Sequence, residues 1–123
     1  MWRDDANLLD MLIWARRASV YVADATLQEF LGNTLVQDAT IRCLQVLGEA
    51  AGRVSAEFRD AHPKIRWPAI TGMRNRLVHE YGLIDLAEVW RTAREDCPSL
   101  ATQLEQLVPP PGATGIPHEW EFL

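Results

Sequence analysis

Cysteine is scarce: Cys43 and Cys97 are the only two in 123 residues. They stand far apart and lack the spacing of a metal-ligand pair, so two buried free thiols are expected, with a single disulfide as the alternative. Long apolar runs are missing too, which leaves no segment able to span a bilayer as a helix. The first residues, "MWRDDANLLDMLIWARR", put acidic side chains ahead of the apolar part, unlike a secretory signal. The expectation is a cytoplasmic protein with no membrane association. Positive charge is the scarcer sign: 12 Lys and Arg face 17 Asp and Glu, for a net of −5. That balance argues against indiscriminate binding to nucleic acid. Strand-like alternation, hairpin turns and internal repeats are all absent.

What the chain does have is apolar content, 48% of its residues, enough for one folded domain with a single core. Its charge is uneven. From Arg53 to His79, six basic residues (Arg53, Arg59, Lys64, Arg66, Arg74 and Arg76) meet two acidic ones, a local +4 that leaves −9 for the rest. Such a region can hold a phosphate chain locally while the remainder repels it. Solvated helix surfaces give the same distribution, and charge alone does not separate the two.

Helical periodicity runs through most of the sequence. Leu9, Leu12, Ile13, Val20, Ala23, Leu27 and Phe30 recur at three- and four-residue steps and predict a first helix from about Asp5 to Leu31. Gly32-Asn33 is a stop, with Thr34 as N-cap of a second helix from about Leu35 to Arg59, closed by Pro63. Pro68 suits the first turn of a third helix, Trp67 to Tyr81, ended by Gly82. Asp85 and Glu88 read as a capping box for a fourth helix reaching about Leu107, with a kink or break near Cys97 imposed by Pro98. The expected fold is all-α, an antiparallel up-and-down bundle of about four to five helices over residues 1–108. Residues 109–123, "PPPGATGIPHEWEFL" in the main, form a Pro- and Gly-rich C-terminal tail.

The third helix carries the densest polar chemistry, in "MRNRLVHEYG", Met73 to Gly82. At about 100° per residue, Ile70, Met73 and Leu77 face the core, with Trp67 one turn earlier. Arg74 and Tyr81, seven apart, share one flank. Asn75 and His79, four apart, stack on each other at about 140–180° from Ile70. His79 is therefore no interior histidine within one monomer. Asn75 can fix its tautomer and leave the other ring nitrogen for proton transfer. A polar outer face without a role fits the same pattern. One histidine cannot be acid and base at once, so two such helices meeting at a two-fold axis would complete a site.

The stretch "WPAITGMRNRLVHEYGLIDLAEVW" resembles the signature of HepT-like proteins within the HEPN superfamily: Arg, four residues, His, one residue, Tyr. Here these are Arg74, His79 and Tyr81, with Asn75 as the polar residue after the arginine. The upstream "IRCLQVLGEAAGRVS" is similar to the family's second helix, including Gly48-Glu49-Ala50. The resemblance covers about residues 5 to 107 and leaves out the tail.

It implies an all-α toxin of a prokaryotic type VII-like toxin–antitoxin pair. Such a toxin is a dimeric endoribonuclease that needs no metal or other cofactor, with its motif at the dimer cleft. The implied partners are a second copy, an RNA substrate, and a minimal nucleotidyltransferase antitoxin that silences the toxin by AMP transfer onto the motif tyrosine, Tyr81.

The residues suit this chemistry. Metal-free RNA cleavage needs a base for the 2′-OH, an acid for the leaving 5′ oxygen and a cation for the charged phosphorane. Two His79 side chains and Arg74 supply them, with Asn75 orienting. No Asp, Glu, His or Cys cluster has metal-ligand spacing. Arg76, Arg66 and Lys64 are candidates for RNA phosphates. The competing reading is a non-catalytic accessory subunit of a two-component nucleotidyltransferase. Among weaker features, Glu49 is expected to pair with Arg42 or with an arginine of the motif helix.

Overall fold

The computed structural model describes residues 2–108, apart from the side chains of Trp2 and Tyr81, and within that span the fold is all-helical. The tail expected at 109–123 lies outside the described residues. The helices are α1 (Trp2–Val22), α2 (Leu27–Leu31), α3 (Thr34–Arg53), α4 (Ala56–Ala61), α5 (Trp67–His79), α6 (Leu86–Arg91) and α7 (Cys97–Glu105). A 3₁₀ turn spans Tyr81–Leu83, and a π-helical segment, Thr92–Asp96, joins α6 to α7.

Antiparallel packing follows from which ends meet. Asp4 near the start of α1 accepts hydrogen bonds from the Ser55 backbone (2.9 Å) and hydroxyl (2.7 Å) just past α3. Arg16, later on α1, pairs with Glu105 at the end of α7, while Arg94 reaches the Val22 carbonyl. The core is one cluster in which Leu8, Met11, Leu44, Leu47, Leu77, Val89 and Leu104 are buried. Cys43 and Cys97 are buried free thiols, as expected, and burial pushes them up to about 11 and about 12.

Several boundaries differ from those read in the sequence, each for a local reason. The first helix stops at Val22, because Thr26 starts α2 with its own capping box: its Oγ1 accepts from Glu29 N, and Glu29 Oε1 accepts from Thr26 N. The carbonyls freed at this corner are not left bare. Arg94 donates to Val22, Ala23 and Ala25, and Trp90 Nε1 donates to Ala25. Asn33, not Thr34, caps α3, since Asn33 Oδ1 takes the Val36 N–H. The second helix breaks at Val54, where Ser55 caps α4 through Phe58 N.

Only half of the box at Asp85 forms. Asp85 accepts from Glu88 N, but the Glu88 carboxylate turns to Arg91 (2.6 Å). Pro98 does not end the helical run, but regular α geometry is interrupted just ahead of Cys97. The proline has no N–H to give and would crowd the Arg94 carbonyl, and the widened π-helical turn ahead of it absorbs both problems.

The entry to α5 is fixed by aromatic packing. Trp67 is buried, its Nε1 donates to the His62 carbonyl (3.0 Å), and Phe58 stacks on His62 while standing edge-on to Trp67.

Candidate active site on the fifth helix

Helix α5 lies against α3 with Trp67 and Leu77 buried and Ile70 and Met73 packed on the core, the stripe expected from the wheel. The approach depends on Gly48 of α3. A Cβ there would collide with Arg74 Cβ, stand 2.8 Å from Arg74 Cγ and sit 3.3 Å from the Ile70 carbonyl oxygen. Only glycine admits the stem of Arg74 at this crossing. The sequence marks Gly48 by resemblance, but nothing in periodicity shows that a glycine on one helix makes room for an arginine on another.

Arg74 is half-buried by this contact. Its Nη2 lies 3.7 Å from Glu49 Oε1, its Nη1 donates to Asn75 Oδ1 (3.2 Å), and its Nε is buried without a partner. Glu49 thus pairs with the motif arginine and not with Arg42. Both contacts are long and partly solvated, so they hold the guanidinium loosely. An incoming phosphate oxygen can replace them with charge-assisted bonds.

His79 is the last residue of α5 and is exposed, as is Asn75. The expected Asn75–His79 bond is not made: Asn75 Oδ1 is engaged by Arg74. Within the monomer Arg74 turns toward α3 while His79 faces out, and no hydrogen bond or ion pair joins them among the described groups. Gly82 does not end this helix. Glu80 caps it, and Tyr81 opens the 3₁₀ turn. The backbone of Tyr81 therefore lies past the end of α5.

Of the remaining candidates, Arg66 and Arg76 line one furrow beside α5. Lys64 does not line it; its carbonyl accepts from Gln103. Among the described residues no three His, Cys, Asp or Glu side chains gather as a metal-binding group, and no helix is long and apolar enough to cross a membrane.

A family model for HepT-like ribonucleases matches residues 11–107, which include Gly48, Arg74, Asn75, His79 and Tyr81. The chain belongs to the HepT-like ribonuclease family. Among its relatives are two proteins of Methanocaldococcus jannaschii, each provisionally named an RNase. One is 32% identical over 84% of this chain and 89% of its own length. The other is 33% identical over 81% and 92%. A protein of Thermococcus cleftensis, provisionally named ribonuclease HepT, is 34% identical over 71% of this chain and 79% of its own. No solved structure matches the chain. Within this HepT-like fold, the exposed end of α5 carries the histidine and the α3 crossing carries the arginine.

Proposed function

We propose that this chain is a metal-independent endoribonuclease acting as a cytoplasmic homodimer. In this reading it is the toxin of a prokaryotic toxin–antitoxin pair, silenced when a nucleotidyltransferase antitoxin transfers AMP to Tyr81. The observation that supports it most is the arrangement on α5 of a HepT-like chain. A loosely held guanidinium stands at the Gly48 crossing, and an exposed imidazole stands at the helix end.

In this reading one His79 takes the 2′-OH proton, and the 2′ oxygen attacks phosphorus. The P–O5′ bond breaks as the partner subunit's His79 protonates the departing oxygen. Arg74 carries the developing charge. Asn75 acts through Arg74, which it already engages, instead of through the imidazole. The second copy is also motivated by surface chemistry: Val78 is 40% and Leu83 is 84% exposed, flanking the helix end that bears His79.

Silencing follows if the Tyr81 hydroxyl attacks the α-phosphorus of ATP, losing its proton as pyrophosphate departs. The bound adenylate brings bulk and negative charge to the end of α5. The test is intact mass after incubation with the cognate nucleotidyltransferase and Mg-ATP, read beside RNA cleavage. AMP increments on wild type, none on Tyr81→Phe, and loss of cleavage only in the modified protein are expected. Equal labelling of both proteins would place the modification elsewhere. AMP transfer to a chain that never cleaves RNA would favour the accessory-subunit reading.

A further inference from the structure

A furrow runs along the flank of α5 that faces α6 and α7. Its broad part is a cavity of about 730 Å³ with an apolar floor that includes Leu44, Leu47, Ile70 and Leu100. A narrower part of about 270 Å³ continues it past Leu77 to Glu80 and Leu83. The two share Met73, Arg76 and Glu88 in their walls, and the narrower part reaches Glu80, the residue after His79.

Its charges are not equally free. Glu88 and Asp96 are held by Arg91 at 2.6 and 3.3 Å. Arg66 and Arg76 line the same furrow and have no ion-pair partner among the described residues. They stand ten residues apart, about 15 Å along the helix axis. The free positive charge therefore lies in the broad part, on the α5 rim above an apolar floor, while the narrower part carries the carboxylates of Glu80 and Asp85. Thr92 Oγ1 is buried in the opposite wall without a partner.

Uncommitted cations over an apolar floor suit a strand with phosphates outside and flat bases inside. An extended peptide suits the furrow less, because its walls are helices and offer no sheet edge to pair with. We propose that the broad part of the furrow is a strand-binding subsite for single-stranded RNA. Arg76 and Arg66 take phosphates on one side of the scissile bond, and a base lies on the floor near Met73, Ile70 and Leu100. The inference rests on the ribonuclease reading and extends it from the reacting phosphate to the flanking nucleotides.

The test uses full-length protein and an uncleavable probe, a fluorescent nonamer with 2′-O-methyl groups throughout, read by anisotropy. Ala69→Trp fills the furrow from its exposed rim without entering the core, and Arg66→Glu reverses one cation. Each should weaken binding roughly tenfold, the scale of one lost base or phosphate contact, with unchanged melting. Unchanged affinity in both folded variants, or no binding by wild type, overturns the subsite. Cleavage of a plain dinucleotide, which spans only the reacting phosphate, tests the ribonuclease reading separately. If the dinucleotide is cut while both variants bind the nonamer like wild type, the chemistry stands and the furrow fails.

Discussion

Arg74 and Asn75 are joined to each other, and His79 stands apart from both. This assigns different losses to three neighbouring substitutions. Arg74→Ala removes the cation and should lower cleavage by on the order of 10²–10³, the scale of one lost charge-stabilising donor. Asn75→Ala should cost less, and chiefly in KM, because Arg74 keeps its guanidinium but loses one restraint. Cleavage of a defined oligonucleotide by the two proteins, with kcat and KM separated, measures the difference. A fall in kcat for Asn75→Ala as large as that for Arg74→Ala would instead make Asn75 a participant in the chemistry.

The residues of this cluster were legible in the sequence, since spacing alone puts Asn75 and His79 outward. Their bonding was not. A wheel shows which side chains share a face, whereas the partner of Asn75 depends on where the α3 crossing holds Arg74.

At the scale of elements, the α3–α5 crossing makes two glycines of one helix behave oppositely. Gly48 has no room for a Cβ, and Gly52 has nothing within 4 Å of one. Gly52→Ala should raise stability by up to about 1 kcal/mol through helix propensity. Gly48→Ala gains the same propensity but must push α5 away, an overpacking cost of about 1–3 kcal/mol. It should therefore lower the melting temperature. It should also slow cleavage, since a displacement of about 1 Å in a catalytic group can cost 10²-fold. Thermal melts of the two variants decide the matter, and two equal rises would mean that the helices are not tightly crossed.

A second element-level prediction concerns the α1–α3 junction. Burial alone lifts the Asp4 carboxyl, but the two hydrogen bonds from Ser55 outweigh it, so its pKa sits below the usual value. A depressed carboxylate contributes stability fully above its unfolded pKa of about 3.9 and loses it as pH falls through the folded value. Asp4→Asn should therefore be less stable than wild type near neutrality, with the gap closing below about pH 4. Melting temperatures across pH 3–7 test the sign, and a constant gap would place the effect elsewhere.

The four long helical runs were legible from periodicity and punctuation. The interruptions were less so. Thr26 and Glu29 do carry a readable capping box, which an unbroken apolar period through Leu31 obscured. Ser55 is decided by Asp4, 51 residues away, which no local pattern contains.

At the scale of the molecule, one chain holds half of the proposed chemistry. A single exposed His79 cannot act as acid and base at once in the cleavage step, and the exposed apolar Val78 and Leu83 stand on either side of it in the chain. Burying that surface against a second copy completes the acid–base pair and covers the patch in one step. Sedimentation at micromolar concentration should therefore show a dimer, and Val78→Glu should shift it toward monomer with loss of cleavage. A monomeric wild type with full activity would remove the need for two subunits.

The rate of RNA cleavage in EDTA, by wild type and by His79→Ala of equal dimer content, tests this arrangement most directly. Wild type should cut and leave a 2′,3′-cyclic phosphate or its hydrolysis product. His79→Ala should lose about 10²–10⁴ in rate, the range for one acid–base group. Retained cleavage by folded, dimeric His79→Ala would contradict it.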